Sequence, residues 1–308
     1  MKIIIGGGTG LVGRALVPKL IEAGHAISVI GRDKNKIRSS FNHTVNAFNW
    51  DELTTLNPDE FGAIINLTGE NIAENRWSDK VKNKLLSSRL NATRKFILWG
   101  ANATTHKPHL YNASAIGIYE LQNKVPDKPF TEKNLTKEKA NGCFSNQLVS
   151  QWEQAALEGS KANMPVTVMR FGVVLKRGEG MLKKLELPAQ YGLAAIVGSG
   201  EQPLSWIDHV DLVNAILFLI DHPGITGPIN LVAPEYVSQK VFTKTMAKIL
   251  NKPAFLRLPS WFIKFALGQM GEELLLSGQA VAPERLLEQN FNFNYPTLTA
   301  ALKKEFKK

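Results

Sequence analysis

Residues 6–13 read G-G-G-T-G-L-V-G, directly after the apolar run Lys2 to Ile5 and directly before Leu11 to Ala23. The second stretch carries apolar residues at helical spacing and stops at Gly24, so the order is strand, glycine turn, helix. Gly7, Gly10 and Gly13 form G-x-x-G-x-x-G. Glycines in that context permit a tight turn, close approach of backbone to a pyrophosphate and close helix–strand packing. Free N–H groups and the dipole of the following helix favour the anion. The loop predicts a βαβ unit and a dinucleotide ligand.

The rest of the chain repeats the rhythm. Ala26 to Ile30, Val45 to Trp50, Ala63 to Leu67, Leu110 to Ser114 and Val166 to Phe171 read as further strands. Ser78 caps a long helix running to about Trp99, and Phe144 to Glu158 is helical. The alternation predicts an α/β fold, a Rossmann doubly wound parallel sheet, with a smaller, mostly helical C-terminal substrate-side region. Residues 1–172 form the nucleotide-binding domain, with strand returns near 206–232, and 173–308 the C-terminal region. Residues 176–205 show no clear strand–helix alternation. Asp211 to Ile220 returns to helix, Ser238 caps another, and the sequence from Pro253 onward reads as helical and apolar.

The end of the second strand tells one dinucleotide from another. An acid there binds the ribose 2′-hydroxyl of NAD. This strand ends Ile30–Gly31–Arg32, followed by Asp33, Lys34 and Lys36. Arg32 pairs with a 2′-phosphate bidentately, which favours NADP; Asp33 is the competing candidate for the ribose.

Composition narrows the setting. Lys and Arg exceed Asp and Glu by 10, but clusters such as Lys80–Lys82–Lys84, Lys133–Lys137–Lys139 and Lys303 to Lys308 lack interleaved aromatics or a nucleic-acid motif. They read as solvated surface, so no nucleic-acid partner is expected. The single cysteine, Cys143, excludes an internal disulfide and a Cys-rich zinc site, and fits a cytoplasmic location. No metal is expected. Met1 to Ile5 gives no signal peptide, and Leu212 to Ile220 is about half the ~20 residues of a membrane helix, so no membrane partner is expected either. The partner is a small-molecule substrate, and the chain is a monomer or homodimer.

The loop, the Gly31–Arg32 strand end and the later segments resemble the short-chain dehydrogenase/reductase superfamily, of extended length. More narrowly, N-L-T-G-E-N-I (66–72), Arg76–Trp77, S-A-I-G-I-Y (114–119), G-S-G-E-Q-P-L-S-W-I (198–207) and G-Q-A-V-A-P-E-R-L-L (278–287) carry a closer likeness. They resemble an atypical branch, the bacterial NAD-dependent epimerase/dehydratase-like proteins with an appended C-terminal domain of unknown function, here about 253–300. The resemblance implies that Gly7, Thr9, Gly10, Leu11, Val12 and Gly13 surround the pyrophosphate. Gly31 and Arg32 take the 2′-phosphate end, and Trp50 lies near the adenine. Leu67, Thr68, Gly69, Glu70, Ala113 and Val173 border the ribose and nicotinamide. Arg76 reaches the cofactor phosphates or a substrate anion. Trp77 is either a core or lid aromatic or a substrate contact; Arg170, Gly200 and Gln202 fall on the substrate side.

Carbonyl–alcohol redox in this superfamily uses a tyrosine acid/base and a lysine four residues later, on one face of the helix after the fifth strand. With Glu153 as anchor, the tyrosine position falls at Ser145 and the lysine position at Val149. The dyad is missing. Tyr236 with Lys240 has the spacing but lies in the wrong part of the chain. A substitute pair, Ser114 orienting a carbonyl and Tyr119 as acid/base, is the catalytic expectation. The usual His-before-acid pattern is inverted at Asp208–His209, which makes His209 structural rather than a base. The expected function is an NADP(H)-dependent oxidoreductase or epimerase acting on a nucleotide sugar or other small molecule. The alternative is an NADP(H)-binding regulatory or scaffold protein, linked to cell division, without turnover.

Overall fold

The protein is described here from a computed structural model that covers residues 1–134 and 142–306. Lys137 and Lys139 of the second lysine cluster, and Lys307 and Lys308, lie outside the described residues. Strands and helices alternate as β1 (Lys2–Gly6), α1 (Leu11–Glu22), β2 (Ala26–Gly31), α2 (Lys34–Ser40), β3 (Asn46–Asn49), β4 (Ala63–Asn66), α3 (Asp79–Gly100), β5 (His109–Ala115), α4 (Phe144–Lys161) and β6 (Val166–Phe171). Next come β7 (Val173–Leu175), α5 (Gly180–Gln190), β8 (Ala195–Val197), β9 (Pro203–Leu204), β10 (Trp206–Asp208), α6 (His209–Asp221) and β11 (Gly227–Leu231). The chain ends with β12 (Val237–Ser238), α7 (Gln239–Ile249), β13 (Leu256–Leu258), α8 (Ser260–Leu267), α9 (Gln269–Leu274), α10 (Glu284–Glu288) and α11 (Leu298–Phe306).

Seven strands make one parallel sheet in the order β11-β6-β5-β4-β1-β2-β3. The order reverses between β1 and β4, which opens a crevice at their carboxyl ends, where open α/β sheets bind ligands. Helices cover both faces, so β1 and most of β4 are apolar on both faces rather than alternating, while the polar side chains of β5 are buried and hydrogen-bonded internally. Ile3 and Ile5 pack with α1 and α6 on one face, while Ile4 meets Phe96 of α3 on the other. The hydroxyls of Ser78 and Ser238 accept from the N–H groups of Val81 and Val241, capping α3 and α7.

Residues 176–205, whose sequence shows no clear alternation, hold α5 and the short strands β8 and β9. Strands of three and two residues are too short to leave a periodicity. They exist because distant partners reach them. β8 pairs with β13, β9 with β12 and β7 with β10. The same pairing puts a strand into the region from Pro253 that reads as helical.

His109, at the start of β5, is buried and stacked on Tyr111 at 4.1 Å. Its Nε2–H donates to Thr167 Oγ1 at 2.8 Å, whose own hydrogen goes to the Ile225 carbonyl at 2.7 Å. Burial holds the imidazole pKa down at about 4. The unfolded value is near 6.5, so the fold prefers the neutral ring, and its contribution is full above about pH 6.5 and lost as pH falls toward 4. We expect stability to drop over that window by up to about 1.4 kcal/mol per pH unit from this group. Denaturant melts across the window should slope less steeply for His109→Gln; equal slopes would remove His109 from the account.

Candidate functional site

The glycine loop forms a cradle between β1 and α1. Gly7 has φ +76°, and its carbonyl accepts the Gly10 N–H at 3.0 Å, closing the turn. A Cβ on Gly7 would lie 2.6 Å from the Leu67 carbonyl oxygen, and one on Gly13 would lie 2.3 Å from the Gly8 carbonyl oxygen. The loop therefore packs backbone against backbone, leaving its outer rim for a ligand. α1 starts with no side-chain cap and no acid in its first turn, so its first N–H groups, those of Leu11, Val12 and Gly13, carry the helix's positive end. Thr68, across the loop at the end of β4, has a buried hydroxyl with no hydrogen-bond partner. A dinucleotide pyrophosphate at α1 and a ribose hydroxyl at Thr68 would satisfy what the fold leaves unpaired. The residues fit the group.

Arg32 and Asp33, the two candidates at the end of β2, are placed differently. Asp33 caps α2, accepting from Asn35 N at 2.9 Å and Lys36 N at 3.0 Å. Lys34 is held by both oxygens of Glu52. Arg32 stays exposed, with one contact to Glu70 at 3.2 Å across the crevice; Lys84 also approaches that carboxylate, at 3.3 Å. Gly31 precedes it, packed on Ile37. Half-buried Trp50, at the end of β3, sets its ring edge-on to Phe96 at 5.1 Å.

Arg89 of α3 underlies the Gly69–Glu70 turn. It donates to the carbonyls of Leu85 (2.9 Å) and Glu70 (3.0 Å) and covers the Trp152 ring at 5.0 Å. A Cβ on Gly69 would sit 3.1 Å from its Cζ. Burial lowers its pKa to about 10, with the charge of Glu70 acting the other way.

The expected catalytic pair lies inside the protein. Ser114 donates to Glu153 Oε1 at 2.6 Å, and Arg170 grips the same carboxylate through Nε (2.8 Å) and Nη2 (2.7 Å). Nη1 of Arg170 donates to the Tyr119 hydroxyl at 3.1 Å, which donates to Asn230 Oδ1 at 2.8 Å. All five side chains are buried, and burial pushes the Tyr119 phenol up to about 12 despite the nearby Arg170 charge. Ser114, Tyr119 and Arg170 thus form a structural network that ties β5, α4, β6 and β11 together, rather than facing a substrate. Ala113, one residue earlier, is buried in the same strand.

Open space lies beside that network. A cavity of about 540 Å³ is walled by the end of β5, α4, the β6–β7 corner, α5, α7 and the C-terminal region. Ser145 and Val149, the two positions of the missing dyad, both line it, and so does Val173. Glu273 of α9 reaches in from the C-terminal region and caps α4, its carboxylate accepting from Phe144 N at 2.9 Å and Ser145 N at 2.8 Å. Ser145 Oγ lies 3.6 Å from Cys143 Sγ.

Gln202 lines the cavity but spends its amide on the carbonyls of Val197 and Leu275. Gly200 does not line it; its φ of +75° and the closeness of Ile196 mark a turn. Trp77 is a core aromatic, donating to the Ile72 carbonyl at 2.9 Å and meeting Phe144 edge-on at 4.8 Å. Arg76 lies at the surface against Gly268.

Asp208, His209 and Glu305 gather acidic and imidazole ligands within reach of one another. The ammonium of Lys304 stands among them, 3.0 Å from each oxygen of Asp208, 3.1 Å from His209 Nδ1 and 2.7 Å from Glu305. A lysine fills the place of a cation, and His209 belongs to an ionic clasp that fixes α11. No helix among the described residues is long and apolar enough to cross a membrane.

The chain matches the model of the NAD dependent epimerase/dehydratase family over residues 3–231 and that of a domain of unknown function, DUF1731, over 258–305. It is 34% identical to the epimerase family protein Mb2239 of Mycobacterium bovis, covering 97% of this chain and 96% of that one. It is 32% identical to the Homo sapiens epimerase family protein SDR39U1, covering 98% and 99%. A crystal structure of the human protein, isoform 2 with NADPH, superposes with a TM-score of 0.88 at 29% identity, covering 100% of this chain and 99% of that one.

Proposed function

The chain belongs to the NAD dependent epimerase/dehydratase family, and on that premise we propose that it binds NADP(H) and uses it to oxidise or reduce a small molecule held in the cavity. The observation that carries the cofactor choice is Arg32. It stands exposed at the end of β2 while the neighbouring acid is withdrawn into a helix cap. The human relative's crystal structure with NADPH supports the same choice.

Gly7, Thr9 and Gly10 with the N–H groups of Leu11, Val12 and Gly13 hold the pyrophosphate. Thr68, Leu67 and Gly69 border the ribose, and Val173 faces the nicotinamide side. When bound, the nicotinamide supplies or accepts a hydride. The protein's part is to orient the reacting carbon, exclude water and carry a proton at the cavity wall. Ser145 Oγ is the wall hydroxyl able to hold that proton, because the hydroxyls of Ser114 and Tyr119 are spent internally and the Glu273 carboxylate already accepts from Phe144 N, Ser145 N and Gln269 Nε2.

Arg32→Ala should raise the dissociation constant for NADPH by about 30-fold, roughly 2 kcal/mol for a charge-assisted contact. That for NADH should stay within about twofold, since no 2′-phosphate is present. Fluorescence titration of both cofactors decides it; equal losses would remove the 2′-phosphate from Arg32. Consumption of NADPH with a panel of carbonyl compounds tests turnover. Tight binding without consumption across the panel would favour a nucleotide-binding protein that performs no redox chemistry, a reading that Ser145 and Val149 at the dyad positions support.

A further inference from the structure

The walls of the cavity select against the sugar nucleotides that a family of this kind brings to mind. Among the described residues lining it, Glu273 is the one charged group, and no Lys, Arg or His is present. A nucleoside diphosphate needs cations to replace the water its phosphates lose, and burying such charge unpaired is prohibitive. Glu273 adds repulsion.

The neutral polar side chains of the wall offer little to a sugar. Gln239 donates to Ala195 O and Thr243 Oγ1 and accepts from Val197 N. Ser205 donates to Gln279 O and accepts from Val281 N. With Gln202 also committed, these groups knit the wall. Thr243 and Ser277 are tied in the same way, to Gln239 and Ala195 O and to Asn123, and Gln279 also lines the wall; the rest of the surface is aliphatic and aromatic, with Met181, Leu204, Phe242, Met246 and Leu274 around the chamber. Leu193 and Leu185 stand partly exposed, Leu193 at 56%, and carry the apolar lining out toward solvent. Ser145 and Glu273 supply one hydrogen-bonding end. At about 540 Å³ the chamber falls within the range of sites for compact organic ligands, about 300–1,000 Å³.

We infer that this cavity takes an uncharged, predominantly apolar alcohol or its carbonyl counterpart, with the oxygen at the Ser145–Glu273 end and the hydrocarbon body along the leucine and methionine wall. The inference rests on the reading of the cavity as the substrate site and specifies its substrate class.

The test uses the full chain and a neutral phenylnaphthylamine dye that brightens in apolar surroundings. The dye should bind, and decanol and decanone should displace it while UDP-glucose does not. Leu193→Glu, a change at a half-exposed position that leaves the core intact, should weaken dye binding about tenfold, equivalent to roughly 1.4 kcal/mol. Leu287→Glu, equally exposed but away from the cavity, should leave binding as in the wild type. Failure of the dye to bind, displacement by UDP-glucose at concentrations as low as decanol needs, or an unaltered Leu193→Glu would each overturn the inference. NADPH binding, measured on the same preparation by its own fluorescence, is a separate result. Its absence would sink the cofactor reading and leave the dye data to judge the cavity.

Discussion

Glu153→Ala should lower the unfolding free energy by about 3–5 kcal/mol, because it leaves a buried guanidinium without its counter-charge. Arg170 is 1% exposed, and its Nε and Nη2 both end on that carboxylate. Burial pulls the Arg170 pKa down, but the bonds and charge of Glu153 outweigh it and leave the group above the ordinary arginine value. Without Glu153 that support is gone, but a guanidinium is basic enough to stay protonated at neutral pH even when buried, so the charge stays in the variant without its counter-charge. Urea unfolding followed by circular dichroism should show a lower midpoint with an unchanged slope. Replacing both partners, Glu153→Leu with Arg170→Met, should recover most of the loss, since an apolar pair of similar volume avoids desolvating two charges. A double variant as unstable as the single one would mean that Ser114 and Tyr119, and not the ion pair, dominate the network.

The second large effect is at the cradle. Gly13→Val puts a branched side chain where even a Cβ would lie 2.3 Å from the Gly8 carbonyl oxygen. The obstruction is backbone, which has no rotamer to turn, so α1 must move off the loop. We expect about 3 kcal/mol of destabilisation, at the upper end of ordinary overpacking, and NADPH affinity reduced by about 100-fold or more through loss of the pyrophosphate N–H groups. Gly10→Ala is the contrast. Its Cβ meets nothing closer than 3.3 Å, and φ at Gly10 is −78°, a conformation open to any residue. Its melting temperature should match the wild type while its NADPH affinity falls, because Gly10 is exposed at the place proposed for the pyrophosphate. Calorimetric titration and thermal melts separate the two. A Gly10→Ala protein that binds NADPH normally would move the pyrophosphate off this loop.

Local patterns in the sequence carry much of the fold. The serines at 78 and 238 cap helices because a hydroxyl before a helical run accepts an orphan N–H whatever packs around it. The isoleucine runs form central strands because both faces of the sheet are covered. The two-residue and three-residue strands were invisible, since each depends on a partner far along the chain. The same division runs through the site. The glycine loop and Arg32 are proposed to act through backbone shape and local charge, and both are readable in order. Counting back from Glu153 located Ser145 and Val149, and both positions do face the cavity. Tyr119 misled because the spacing from Ser114 says nothing of Asn230, 111 residues away, which takes its proton. Glu273 escaped notice for the same reason. It meets α4 across 128 residues of sequence, in a run of glutamates and leucines that reads only as helix.

That long reach has a consequence for how the protein comes into being. Residues of the cofactor cradle, Gly7 to Glu70, are all made within the first quarter of synthesis, whereas the chamber wall draws on Glu273 and Gln279 near the end. Chains fold from the N-terminus as they emerge, and apolar surface left open meanwhile invites association with other chains. The residues of the cradle therefore emerge early, with α1 covered once α6 (His209–Asp221) follows, while Leu204, Phe242 and Met246 wait for the closing segment. The apolar surface left open longest on the ribosome is therefore that of the cavity wall.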